Sequence, residues 1–376
     1  MLLRPSFVSL LFSYVLGQVF TGPEDPRISI ELSLDTPATG ATITTDGRVF
    51  LNWARVDGSS GPQVVEYDRS TNTSTAFPNE EWNNYSEGKD PATHLIGVNG
   101  HRIGPDGQLW IVDKGSPAFG SPVNLPYGPK LVVVNLSSNT VSRVYPMGNV
   151  TLSASLLDDI RFGSPQSHYA YLTDAGAPGL IVLDLVSGNA VRVLNDHYST
   201  TAYIPVSGEG SLMYSATGPF YVHADQLEVS PDGKYLYFQP CAGNLYRIET
   251  KYLHYAFTNS SMNSNTILGS YVEPLAHTHS TGGTAIDSNG DLYVSDTDSQ
   301  RIMKIAPNGT TTTLVQDPRL LWVDAMWIDS KSTRLWMPAA QLNRGVPFHN
   351  GTNLVTKPVY VYSIDIGAGP SAIDHP

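Results

Sequence analysis

The sequence predicts an all-β fold, a six-bladed β-propeller in which the N- and C-terminal strands close one blade. Three observations predict it: a unit repeated six times, an aromatic residue at a fixed place in that unit, and strand-like segments at both ends. The units read ATITTDGRVFLNW from Ala41, VNGHRIGPDGQLWIVD from Val98 and DDIRFGSPQSHYAYLTD from Asp158. They continue as ADQLEVSPDGKYLYFQP from Ala224, GTAIDSNGDLYVSD from Gly283 and VDAMWIDSKSTRLWMPA from Val323. Aligned on the second strand, Phe50, Trp110, Tyr171, Tyr237, Tyr293 and Trp336 form one column, spaced by 60, 61, 66, 56 and 43 residues. Such a period, strand-rich and without helical periodicity, marks a propeller rather than a sandwich with a second domain.

Taken in order, the chain opens with Arg4 and an apolar run from Phe7 to Leu16, followed by Gly17. The run is too short to cross a bilayer, so residues 1–17 read as a cleaved secretory signal and 18–376 as a single domain. Within each unit, Asp-Gly, Asn-Gly and Ser-Gly pairs supply the positive φ that tight hairpins need. Third and fourth strands follow, as in GLIVLDLVSG with NAVRVL and RIMKIAPNG with TTTTLV. Ile28–Leu34 and Val359–Ile366 are both strand-like, and pairing them within one blade closes the ring.

Composition narrows the function classes. There are 22 Lys and Arg against 34 Asp and Glu, a net charge of −12, with no basic run. A nucleic-acid partner is therefore excluded, because phosphate binding needs clustered cations. No later segment approaches a membrane span. Seven Asn-x-Ser/Thr triplets, at Asn72, Asn84, Asn135, Asn149, Asn259, Asn308 and Asn350, fit N-glycosylation in the secretory pathway. The lone Cys241 permits no intramolecular disulfide and reads as a buried thiol rather than a nucleophile.

In a propeller the innermost strands line a central channel. The residues opening them are Thr39, Asn99, Asp158, Asp225, Gly282 and Asp324. Three carboxylates facing one space need an offset. A Ca²⁺ ion would supply it, as would a bound polar substrate with Arg161 or His279 nearby; capping of backbone by these Asp side chains is the third reading. Loops at the mouth add Trp53, Arg55, His94, Asp113, Tyr221, His223, His277, His279, Trp322 and Arg344. Aromatic walls with a few His and Arg suit a small apolar or aromatic molecule carrying polar handles. There is no G-x-S-x-G, G-x-G-x-x-G, Walker A or C-x-x-C, so a Ser-His-Asp hydrolase or nucleotide site has no support.

Several of these segments, in order, resemble the yellow/major royal jelly protein family: DDIRFG, AYLTDAGAPGLIVLDLVSGNAVRVL, ADQLEVSPDGKYLYFQPCAGNLYRI, GGTAIDSNGDLYVSD and DPRLLWVDAMWIDSKSTRLWMPAAQLNR. The similarity runs from about Ala41 to Arg344. It implies a secreted propeller, related in architecture to calcium-dependent gluconolactonases, whose members mostly bind small ligands. The family's Asp-Gly-Ile step is matched at Asp225-Gln226-Leu227 only by the Asp, and Gly282 stands where Asp is common. These departures weigh against an inherited lactonase metal site. Cys241 alone cannot supply the disulfides of insect members. The chain is also similar, in size, secretory start and sequon density, to a fungal branch of hetero-Diels–Alderases of tropolone–sesquiterpenoid biosynthesis. That resemblance implies [4+2] coupling of a tropolone-derived quinone methide with a macrocyclic, humulene-type terpene, with no cofactor. Arg55, His279 and Arg161 would then contact the tropolone oxygens. Trp53, Tyr221 and Trp322 would wall the terpene, with His94, His223, Asp158, Asp225 and Asp324 completing the site. A non-catalytic ligand-binding protein and a metal-dependent lactonase are the alternatives.

Overall fold

The computed structural model describes residues 19–376, so the secretory signal read in residues 1–17 lies outside the described residues. Among the described residues there are six four-stranded antiparallel sheets, each ordered from the channel outward. Their inner strands are Ala38–Ile43, Val98–Ile103, Leu157–Phe162, Ala224–Val229, Thr284–Ile286 and Trp327–Asp329. Each inner strand packs on its two neighbours around the ring. The sixth blade is completed from both ends of the chain: Ser29–Leu34 pairs with Val359–Asp365, with Leu34 opposite Val359 and Ser29 opposite Ser363. Closure between the sixth and first blades is made by backbone, Ala325 N donating to Thr39 O at 3.0 Å.

Local chemistry explains the strands. The first hairpin turns use glycine where φ must be positive, as at Gly47 (98°) and Gly233 (71°). All six residues of the aromatic column are buried between blades, where large flat side chains fill the wedge between adjacent twisted sheets. Asp residues that end second strands act as staples. Asp113, fully buried, accepts the backbone N–H groups of Ile96, Gly97 and Gly115 and pairs with Lys130 at 2.6 Å. Asp174 serves the third blade in the same way, binding Leu156 N and Arg192.

Two features depart from the repeat. A helix, Thr250–Thr258, interrupts the fourth blade and buries Thr250, Leu253 and Ala256. Nine residues form no stable helix alone, so this apolar stripe and its packing hold it. Between the third and fourth blades, two small hairpins, Ser207–Leu212 and Tyr214–Pro219, form a strap at the mouth.

The register positions the site. The inner strands of the first four blades each carry an irregularity in pairing, at Ala38/Gly40, Val98/Gly100, Leu157/Ile160 and Ala224/Leu227. The skipped residues include Thr39, Asn99, Asp158 and Asp225. A bulge bends the strand and re-aims the extra side chain, here into the channel. The other end of the channel is filled by the C-terminal segment. Asp374 accepts from Arg102 Nε at 2.6 Å and lies 3.8 Å from Arg161. His375 stacks on Trp327, ring centroids 3.6 Å apart, and bonds Ile328 O.

Candidate functional site

The six residues that open the inner strands all line one cavity of about 460 Å³ at the channel mouth. On its floor, Asn99 Nδ2 donates to Asp158 Oδ1 and Gln226 Nε2 donates to Asp225 Oδ2. The Asp158 and Asp225 carboxyl groups hydrogen-bond to each other. Burial, and then the neighbouring Asp225 charge, hold Asp158 well above the usual carboxylate range. Burial also pushes Asp225 up to about 7. Asp324 accepts from Ala325 N at 2.9 Å and from the Trp322 indole at 3.0 Å, yet burial still carries it to about 8. At neutral pH the floor is therefore largely a set of neutral acids rather than three negative charges.

Two cations face this floor. Arg55 and Lys114 both line the cavity. Among the described residues neither side chain has an ion-pair partner, and the Arg55 Nε is buried without a hydrogen bond. Burial pushes both groups downward in pKa, which favours an anion arriving beside them. Arg55 and Trp322 also adopt left-handed backbone, with φ of 53° and 52°. For bulky residues this conformation costs on the order of 1–3 kcal/mol and concentrates at functional sites.

Above the floor the wall turns apolar. Phe119, Phe220 and Phe348 come from three separate loops and meet with ring centroids 5.1–5.3 Å apart. Trp53, Met213, Val222 and Leu342 extend this collar. Cys241 lies beneath it, its thiol buried, 3.0 Å from Thr281 O and pushed upward in pKa by that burial.

Several residues expected at the site lie elsewhere. Arg161 sits below the floor, where it grips Glu228 through two bonds of 2.8 and 2.9 Å and faces Asp159 and Asp374. It lies three residues past the bulge at Asp158 and so faces the filled end of the channel. His94 turns back to Asp90 O, and His223 accepts from Ala202 N at 3.1 Å. Tyr221 and His279 are exposed on the rim, with His277 bonded to Asn244 rather than paired for a metal. None of these lines the cavity. Arg344 is held by Glu209 at 2.6 Å. Among the described residues no group of three or more His, Cys, Asp or Glu side chains is arranged to hold a metal ion.

Lys114 and the phenylalanine collar escaped the sequence reading. Lys114 directly follows the staple Asp113, and that placement at the end of a second strand is the signal that could have found it. Six of the seven sequon asparagines are exposed and Asn135 is half-buried. No helix among the described residues is long and apolar enough to cross a membrane.

A six-bladed propeller with a polar-floored, aromatic-collared cavity at one mouth is thus the class that fold and site define. The chain belongs to the major royal jelly protein family, whose model matches residues 97–361. No curated protein matches its sequence. Among solved structures it is similar to a luciferin-regenerating enzyme, with 12% identity over 93% of this chain and 98% of that one and a TM-score of 0.55. It is also similar to the calcium-binding protein regucalcin from Agrobacterium tumefaciens, with 11% identity over 93% and 95% and a TM-score of 0.54. A gluconolactonase from Xanthomonas campestris shares 10% identity over 90% and 88%, with a TM-score of 0.52. At such identities the likeness is one of fold.

Proposed function

We propose that the protein couples two small molecules in the mouth cavity, a tropolone-derived quinone methide and a macrocyclic, humulene-type sesquiterpene, by hetero-Diels–Alder cycloaddition. The observation that carries this reading is the pairing of Arg55 and Lys114, cations without partners, with an apolar aromatic collar directly above them. A tropolone is an acidic enol whose oxygens suit the two cations, and a hydrocarbon macrocycle suits Phe119, Phe220, Phe348 and Trp322. The cavity volume lies in the range of small-molecule sites.

The floor supports the preceding step. A hydroxymethyl tropolone becomes a quinone methide by losing water. The neutral acid of the Asp158–Asp225 pair donates a proton to the departing hydroxyl, and the resulting carboxylate takes the ring O–H proton, so the pair ends as it began. The cycloaddition then forms one C–C and one C–O bond with no atom lost. No nucleophile is needed. Orientation and hydrogen bonds to the heterodiene oxygen lower the barrier.

The test is to mix the purified protein with a hydroxymethyl tropolone and humulene, and to follow rate and diastereomer ratio of the adduct. Lys114→Ala is expected to slow coupling about 10²-fold, and Trp322→Ala to loosen the stereochemical ratio. If the wild type changes neither rate nor ratio, the non-catalytic binding reading takes its place. Hydrolysis of an aldonolactone that is lost on chelation would instead establish the lactonase reading.

A further inference from the structure

The strap at the mouth is anchored on blade five, where Ser207, Glu209 and Gly210 bond to Ser280, Thr297 and Asp298, and is held to blade six by one ion pair. In its first hairpin, Glu209 and Gly210 form a two-residue turn with φ of 51° and 72°, the geometry of a tight hairpin in which a bulky first residue is unusual. The Glu209 carboxylate reaches across to the loop after the second strand of blade six. It takes Arg344 through Nε at 2.7 Å and Nη2 at 2.6 Å, and the Asn343 amide at 2.8 Å. Such a two-pronged pair is directional and holds both segments in register.

Each tied segment carries part of the collar. Val206, Met213 and Phe220 are linked by backbone hydrogen bonds within the strap. Leu342, Pro347 and Phe348 belong to the opposite loop, and all three line the inner cavity. Between strap and loop lies a second cavity of about 440 Å³, which Glu209 and Arg344 border. Met213 and Phe348 line both cavities and so form the wall between them. Strap and loop thus touch at Phe220 and Phe348 and at Gly208 and Asn343, with the ion pair bordering the space beside these contacts.

We propose that this outer cavity is the entry compartment for the apolar partner, and that Glu209–Arg344 is a positioning pair controlling passage past Met213 and Phe348 into the inner cavity. Releasing the pair lets the blade-six loop draw away from the strap, which stays anchored on blade five; this separates Phe348 from Phe220 and joins the two spaces. Leu212, Tyr214 and Leu354 give the outer compartment an apolar lining open to solvent, suited to a hydrocarbon. The pair touches no reacting atom; it acts through the collar. This inference rests on the inner cavity being the ligand site.

Stopped-flow fluorescence with 8-anilinonaphthalene-1-sulfonate tests it, since this probe combines an anionic group with an apolar aromatic body. Glu209→Gln and Arg344→Ala are expected to raise association and dissociation rates together, each at least fivefold, with affinity changed less than threefold. The exchanged pair Glu209→Arg with Arg344→Glu is expected to restore slow kinetics. A residue that merely stabilised the fold would alter affinity or melting instead. Hydrogen exchange at Met213 and Phe220 should quicken in both single variants. Unchanged rates in Glu209→Gln, beside normal binding by the wild type, would overturn the gate and leave the inner site standing. Failure of the wild type to bind, or binding indifferent to Lys114→Ala, would overturn both.

Discussion

Asp158 and Asp225, on the inner strands of adjacent blades, share a hydrogen bond between their carboxyl groups at the floor of the mouth cavity. Two bulges bring them together, and Asn99 and Gln226 fix their outer oxygens. A folded protein that holds these groups as acids binds more protons than its unfolded chain between about pH 4 and pH 8.

Stability should therefore fall as pH rises through that window, because the native state must give up protons it favours. The folded-state value for Asp225 is about 7 against 3.8 for the free group, and its contribution is lost as pH climbs from the lower value through the upper. Asp225→Asn, which stays neutral, should melt higher than the wild type at pH 8 and equal to it or lower at pH 5. Melting curves at the two pH values decide this, and a wild-type advantage at pH 8 would show that the pair is ionised and compensated.

Calcium offers a related check on the same floor. A cation there must displace the protons, so any gain in melting temperature on adding Ca²⁺ should be smaller at pH 6 than at pH 8. A large gain at both, with stoichiometric calcium in the purified protein, would mean that the acids close around an ion.

At the filled end of the channel, Arg102 and Asp374 form a buried pair. Burial alone would push the Asp374 carboxyl up, but Arg102 and His375 hold it well below the usual range. Removing one partner of such a pair leaves an uncompensated charge and costs about 3–5 kcal/mol. Asp374→Asn should thus unfold at distinctly lower denaturant, whereas Ala372→Ser, exposed in the same segment, should not.

The sequons give a prediction for the protein expressed in a eukaryotic secretory host. Treatment with an N-glycosidase should lower its mass in several steps, and Asn72→Gln or Asn308→Gln should each remove one. A protein of unmodified mass would remove the support these sites give to secretion.

How much of this was legible beforehand differs between scaffold and site. The aromatic column and the inner-strand openers were readable because strand alternation and turn chemistry act over a few residues. Thr39, Asn99, Asp158, Asp225, Gly282 and Asp324 all reach the cavity. Of the mouth-loop residues read in sequence, Trp53, Arg55 and Trp322 also line it, but the collar was not readable in that way. Phe119, Phe220 and Phe348 meet from loops far apart in sequence, and nothing local to any one of them announces the others. Arg161 shows the limit within a strand: sequence placed it on an inner strand, but depth along the channel decides that it meets Glu228 rather than a ligand. The exposed histidines misled for a simpler reason, since residue type marks chemical capacity and not direction.

Ser363 Oγ donates to Glu31 Oε1 across 332 residues of chain, and the whole outer strand of the sixth blade depends on pairings of that span. The strand Ser29–Leu34 emerges early in synthesis and has no partner until five blades have been built. During that interval it presents an unpaired edge, the kind of surface that recruits other chains. Long-range pairing of this sort also slows the final closure relative to the local hairpins that precede it. The mouth cavity, framed by first and sixth blades together, comes into being only at that last step. Binding competence and completion of folding are therefore one event in time, and a ligand present during refolding would act on the slowest phase.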